Sequence, residues 1–425
     1  MWMRVEKEAS YTAIIKAELH TAMGCTEPIA IAYCAAVANQ ILGMLPERVC
    51  IRCSGNVIKN AKAVTVPQTG GLVGIKTAAA AGIVGGNPDR KLEVLADIKP
   101  EDLKRIRKFL RERSIEVRCI DEGHALQIIV DLYAGSDHVQ ACLADTHTGI
   151  YHIEHNGTIL LDHPIGTAEE YDLDYDTLNI RDILKYADTV DLHSVEEILR
   201  KEMICNKAIA QEGLKNDWGQ KVGKTMMHAS GSYERTRLIA WAAAASDARM
   251  NGCGMPVVIN SGSGNQGMTA SCPLLAYGEE HHVNQEQLMR ALLVSNLIAI
   301  RQKRDIGRLS AFCGVVSAAV GAVCGIAYLE GADYDEICRI IVNSIATVGG
   351  MICDGAKSSC AAKIAIALQS AFLASDMAKK NNAFHNGEGL VKRDVEQTIT
   401  TIGHLAAEGM RTTDQKVLEL MLENE

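Results

Sequence analysis

Apolar residues return at helical spacing over residues 6–20, and after the break Gly24-Cys25-Thr26-Glu27-Pro28 the same period predicts a second helix to residue 42. The period then shortens. Residues 48–53 read as a strand, a glycine-rich stretch follows, and residues 101–112 read as a charged amphipathic helix. Five further strands, over 114–120, 125–132, 138–145, 149–154 and 158–162, are predicted in hairpin order. The turn sequences Asp-Glu-Gly, Ala-Gly-Ser-Asp and His-Asn-Gly separate several of them. Beyond about residue 172 the pattern is helical, with one extended piece at Val257-Val258-Ile259-Asn260. These elements predict an α+β fold: a predominantly helical domain (residues 167–425) with a smaller inserted α+β domain (residues 44–166). The helices of residues 1–43 are expected to pack with the helical unit.

A chain of 425 residues holds two or three domains with substantial cores. Only 4% of it is aromatic, so Ala, Gly, Ile and Val supply most of the apolar volume and the helices can approach closely. The net charge of −9 is spread without a basic block, which excludes the clustered Lys/Arg footprint of a nucleic-acid binder. The apolar run over residues 311–331 is rich in Ala and Gly and lies among similar helices, so it reads as a buried bundle helix and not a membrane span. No secretory signal is apparent at the N-terminus. Fourteen cysteines in that context predict a reducing cytoplasm, where thiols stay free, bind metal or react. Ala-rich helices permit a homo-oligomer without requiring one.

Three polar loops fit a small ligand held by amides and backbone donors. Ser261-Gly262-Ser263-Gly264-Asn265-Gln266-Gly267 follows a short strand and precedes a helix, the arrangement that suits a carboxylate or phosphate. It lacks the Gly-Lys-Ser/Thr ending of a Walker loop and the βαβ setting of a dinucleotide fingerprint, so a plain strand-to-helix turn is the competing reading. Ser54-Gly55-Asn56-Val57-Ile58-Lys59-Asn60 and Pro67-Gln68-Thr69-Gly70-Gly71 are similar in character. Lys59 and Asn60 are candidate substrate contacts, Lys59 as a partner for a carboxylate.

Cys50 and Cys53 have the spacing of a metal knuckle, but they lie on a predicted strand and no second such pair exists, so both read as small strand residues. Cys353 and Cys360 differ. In one continuous helix they would lie about 10.5 Å apart along the axis, too far to share one centre comfortably. Asp354-Gly355 interrupts the pattern, Ser358 or Ser359 can cap a helix starting there, and the sulfurs can then converge. Cys313 offers a third sulfur at the start of the Ala/Gly-rich helix. Three thiolates with one open position suit a catalytic [4Fe–4S] cluster, yet three small buried residues of a bundle would have the same spacing.

Gly-Cys-Thr-Glu-Pro near the N-terminus, SGNVIKNA, SGSGNQG, and Phe-Cys-Gly followed by MICDGAKSSCAAK occur in this order over nearly the whole chain. Together they resemble the L-cysteine desulfidase family, related to the α-chain of iron–sulfur L-serine dehydratases. That resemblance implies a [4Fe–4S] cluster held by Cys313, Cys353 and Cys360, with Cys25 as proton acceptor. It also implies β-elimination of a small amino acid, L-cysteine or alternatively L-serine.

Elimination needs loss of the Cα proton and departure of the β-substituent, hence a placed base and an electrophile. Cys25 precedes a helix start, where the positive helix end favours thiolate. Glu27 reads as an N-terminal charge or a second acid/base, while His228 and the pair His281-His282 have nothing to place them near the cysteines. Lys357 and Lys363 could balance cluster charge. Two other readings remain: a pyridoxal-phosphate lyase, which the helical C-terminal half opposes, and an iron or redox sensor, which lacks a visible output module.

Overall fold

The computed structural model describes residues 2–120, 123–165, 173–229, 233–307 and 309–423. The expected boundary at residue 166 lies outside them. The chain opens with α1 (Trp2–Glu18), β1 (Thr21–Met23) and α2 (Thr26–Leu42). It continues through β2 (Arg48–Ser54), α3 (Gly55–Ala61), α4 (Gly74–Gly85) and α5 (Pro100–Glu112). Strands β3 (Ser114–Ile120), β4 (Gln127–Ala134), β5 (Asp137–Ala144), β6 (Ile150–His155) and β7 (Thr158–Asp162) follow. The helical part holds α6 (Ile180–Thr189), α7 (Glu196–Lys215), α8 (Val222–Ala229) and α9 (Glu234–Met250). After the short β8 (Pro256–Val258) come α10 (Gly264–Glu280), α11 (Gln285–Ile306), α12 (Val315–Leu329), α13 (Tyr334–Val348), α14 (Cys360–Lys379), α15 (Val395–His404) and α16 (Arg411–Leu422). The fold is α+β with a large helical domain.

Six strands form one mixed sheet in the order β3-β2-β4-β5-β6-β7. The expected succession of hairpins holds only from β4 onward. The connection through α3, α4 and α5 returns β3 parallel to β2 on its outer side, and β4 then takes the free side of β2 antiparallel. Such a parallel pair requires a long crossover, which these helices supply. β1 pairs instead with β8 in a separate two-stranded ribbon, which joins the N-terminus to the start of α10.

Two further expectations change. Residues 55–61 form helix α3 and not a loop, because Val57, Ile58 and Ala61 turn one face into the core. Helix α2 lies on α4 and on β4 and β5 rather than with the helical unit alone, and its Cys34 thiol donates to Ala141 O of β5 at 3.4 Å. The approach of α4 depends on Gly82, where a Cβ would stand 2.1 Å from Ala32 O of α2. The Ala/Gly-rich run forms α12, buried from Val315 to Ala327 between α10, α11, α13 and α14. Helix α14 is the one helix among the described residues with the length and apolarity to cross a membrane, and half of it is buried in the fold.

Under the α10 loop, Glu202 of α7 is fully buried and receives Asn296 Nδ2 at 3.0 Å, while Asn296 Oδ1 receives Asn260 Nδ2 at 2.8 Å. Burial raises the Glu202 carboxyl to about 8 against the pull of Asn296, so it is protonated at neutral pH. The unfolded chain releases that proton near pH 4.5 while the folded chain keeps it, so this group's stabilisation declines as pH rises through about 8. Urea unfolding at pH 6 and pH 9 should therefore show the wild type losing stability over the interval, with Glu202→Gln losing less. Gly82→Ala should lower stability by about 1–3 kcal/mol through overpacking against α2, read from the urea midpoint.

Candidate active site

Cys25 is the N-cap of α2, with φ −76° and ψ 136°, and is 3% exposed. Its thiol donates to Glu27 Oε2 at 3.1 Å. The same carboxylate receives Thr26 Oγ1 at 3.1 Å and, on Oε1, Asn60 Nδ2 of α3 at 2.9 Å. His147, from the turn between β5 and β6, points Nε2 toward Oε1 at 3.9 Å and is itself buried. Burial works against a charged Glu27, but His147 and the Cys25 thiol overcome it and hold the carboxyl down at about 2. The same carboxylate acts in the opposite sense on Cys25. Burial first, then Glu27, raises this thiol well above its ordinary range, despite an opposing pull from Arg249. The expectation that a helix terminus would favour the thiolate is thus corrected: desolvation and an adjacent anion outweigh the dipole.

The three other cysteines surround the same cavity as Cys25 and Glu27. A short antiparallel bridge at Phe312 and Ile352 carries two of them, with Cys313 N–H donating to Met351 O at 2.8 Å and Cys353 N–H to Ala311 O at 2.6 Å. Cys360 is the first residue of α14. The break at Asp354-Gly355 does what its sequence suggests. Gly355 adopts φ +91°, and a Cβ there would stand 2.2 Å from Lys59 O, so the loop folds tightly over α3. The serines do not cap α14: Ser359 makes no side-chain cap, and Ser358 Oγ donates to Asn251 Oδ1 at 3.0 Å. A hydrogen bond from the Cys313 thiol, stronger than the opposing burial, pulls Cys353 below the ordinary thiol range, helped by Lys59, the Gly355 N–H and Lys363.

The SGSGNQG segment divides in two. Ser261 and Gly262 make a turn with φ of 49° and 77°, closed by reciprocal backbone bonds between Asn260 and Ser263, and Ser261 Oγ is spent on Asn260 Oδ1. Ser263, Asn265 and Gln266 line the cavity. Gly264 backs onto Arg249, and the Gln266 amide lies against Gly314, beside Cys313. Lys59 does not reach out to a ligand. It is 2% exposed and ion-paired with Asp414 of α16, since α16 packs across α3. Asn60 lines the cavity, but its amide donor holds Glu27. Lys357 and Lys363 both pair with Asp354, which neutralises part of their charge. His281 pairs with Glu234 on the surface, and His228 is exposed and does not line this cavity.

Sequence reading missed Arg249 of α9 and Lys303 of α11, each under 5% exposed and lining this cavity. Arg249 was signalled only by a lone cation at the end of an Ala-rich helix, and Lys303, set among Arg301, Arg304 and Asp305, carried no signal. Burial drives Lys303 down to about 8, although Cys353 and Cys313 favour its charged form. His147 carried no signal, being one polar residue in a turn.

Among the described residues no three His, Cys, Asp or Glu side chains close on a single-ion site. An iron–sulfur cluster has a different requirement, because it brings its own sulfides and takes one thiolate per iron. Cys313, Cys353 and Cys360 around one cavity, with buried Lys303 beside two of them, satisfy that donor chemistry for three irons and offset its negative charge.

Residues 89–419 match the serine dehydratase alpha chain family. A UPF0597 protein of Lachnoclostridium phytofermentans is 46% identical over 409 residues, covering 96% of this chain and 98% of its own. UPF0597 proteins of Finegoldia magna and Treponema denticola are 44% and 43% identical, covering 97% and 98% of this chain and 99% of their own. With three-quarters of its length in that match, the chain belongs to the serine dehydratase alpha chain family and is a lyase-type enzyme.

Proposed function

We propose that the protein eliminates hydrogen sulfide from L-cysteine, giving pyruvate and ammonia, with L-serine and water loss as the alternative reaction of the same site. The observation that carries this reading is the meeting of Cys25, hydrogen-bonded to Glu27, with Cys313, Cys353 and Cys360 around one buried cavity. When bound by those three thiolates, a [4Fe–4S] cluster supplies one iron without a protein ligand as a Lewis acid for the departing sulfur or oxygen.

The rest of the chemistry falls to side chains. Cys25 Sγ, as thiolate, accepts the Cα proton. An environment that holds the thiol above its ordinary range makes the thiolate, once formed, a stronger base toward a weakly acidic C–H. Glu27 Oε2 accepts the hydrogen bond of the thiol and so fixes the direction of Sγ. Thr26 Oγ1 ties the same turn to Gly262 O at 3.0 Å, which keeps the base aligned with the loop that faces the substrate. Electrons from the Cα–H bond form the Cα–Cβ double bond as the β-substituent leaves with its pair. The aminoacrylate product then tautomerises and hydrolyses to pyruvate and ammonia. A cytoplasmic setting fits fourteen cysteines that are all free thiols.

Anaerobic reconstitution with iron and sulfide should give a broad visible absorption, together with pyruvate and sulfide from L-cysteine. Turnover that depends on pyridoxal phosphate and ignores iron would refute the proposal. Cys353→Ala should abolish the visible absorption. Cys25→Ala should retain that absorption and lose turnover by about 100-fold or more, the scale of a removed general base; full activity in this variant would exclude Cys25 as the proton acceptor.

A further inference from the structure

Among the described residues no carboxylate makes an ion pair with the buried Arg249, although Glu27 lies near enough to favour its charge. Arg249 is 2% exposed, and its guanidinium makes one hydrogen bond, from Nη1 to Asn265 Oδ1 at 3.2 Å. Nε has no hydrogen-bond partner. No carboxylate among the described residues closes an ion pair with it, and the nearby Glu27 is committed to Cys25, Thr26 and Asn60. A buried cation in that state is costly unless an anion comes to it.

Its position sharpens the point. Arg249 lies against the first residue of α10, where a Cβ on Gly264 would stand 2.3 Å from Nε. Helix α10 is 17 residues long, and its N-cap Ser263 makes no side-chain cap. The positive end of the helix, with its first N–H groups, and the guanidinium therefore share one corner of the cavity. Two positive features together disfavour each other and favour a bound anion. Asn265 steadies the arginine, its Oδ1 also receiving Ser246 Oγ at 3.2 Å.

A second unpartnered atom has the opposite character. Gln266 is 5% exposed, and its Oε1, an acceptor, has no donor. The amide is held against Gly314, where a Cβ would come within 2.5 Å of it. An unpartnered acceptor and a buried cation without an ion pair, lining one cavity, are the pattern a zwitterion completes.

We propose that Arg249 and Gln266 form a clamp for an α-amino acid: Arg249 and the α10 N-terminus take the α-carboxylate, and Gln266 Oε1 takes an N–H of the α-ammonium. This rests on the reading of the site as an amino-acid lyase and deepens it. The substrate is selected by its two main-chain charges, leaving the β-substituent to be distinguished elsewhere in the cavity.

The test is calorimetric titration of the anaerobically reconstituted protein, and of the same protein without iron, with two ligands that cannot undergo elimination. L-alanine carries both charges, and L-alaninamide lacks the carboxylate. Wild type should prefer L-alanine by about 10- to 100-fold, the scale of a charge-assisted hydrogen bond. Arg249→Gln should bring that ratio close to one, Arg249→Lys should keep part of it, and Gln266→Leu should weaken both ligands while preserving the ratio. Thermal unfolding and circular dichroism check that each variant is folded. Equal binding of the two ligands by wild type, or no binding of either, overturns the clamp. So does an undiminished ratio in folded Arg249→Gln; loss of the iron–sulfur absorption alongside it would mean that Arg249 serves the cluster's charge instead. Turnover of L-cysteine and L-serine by wild type is scored separately, so a clamp that binds L-alanine without turnover would overturn the lyase reading alone.

Discussion

A carboxylate taken out of water must find donors, and the Glu27 carboxylate finds them on several segments of the chain. Thr26 and Cys25 come from the start of α2 and Asn60 from α3, while His147, from the turn after β5, faces the carboxylate at 3.9 Å. Satisfying this one buried charge brings a helix start, a second helix and a sheet turn to the same point. Thr26 also bonds to Gly262 O, which adds the loop before α10. Leaving Glu27 unpaired at 6% exposure would be costly, so its partners fix α2, α3 and the sheet turn together, and the Thr26 bond to Gly262 links them to the helical part.

Small residues make that convergence sterically feasible. Gly82 lets α4 meet α2, Gly264 lets Arg249 reach the start of α10, and Gly355 lets the cysteine loop cross α3. The low aromatic content, which at first indicates only close helix packing, becomes a condition for the site. Larger side chains at these crossings would separate Cys25 from Cys313, Cys353 and Cys360.

Charge inside the cavity is arranged in two groups. The cysteine side holds Cys313, Cys353 and Cys360 with Lys303 buried beside them, while Lys357 and Lys363 are partly neutralised by Asp354. Cys25 and Glu27 form the second group, where the anion that positions the thiol also resists its ionisation. A thiol of this kind is mostly protonated at rest, and its thiolate would be a strong base in the proposed elimination. Arg249 lies close enough to be felt by Cys25, Glu27 and Cys360.

Periodicity in the sequence determined most elements: the helices flanking Cys25, the strands over residues 114–120 and 158–162, and the buried character of α12 all follow from local pattern. The chain break at Asp354-Gly355, readable as two residues, correctly signalled that Cys353 and Cys360 need not lie on one helix. Local pattern did not determine which strand lies beside β2, because a crossover and a hairpin leave the same alternation in the strands they join. Nor did it separate α3 from a polar loop, since its apolar face is short and interrupted by Asn and Lys. Whether Lys59 faces a ligand or Asp414, whether Cys25 ionises easily, and that Arg249 and Lys303 line the cavity were decided only in the tertiary structure. Each depends on the burial and charge of residues tens or hundreds of positions away, and a side chain's electrostatic environment is set by its neighbours in space.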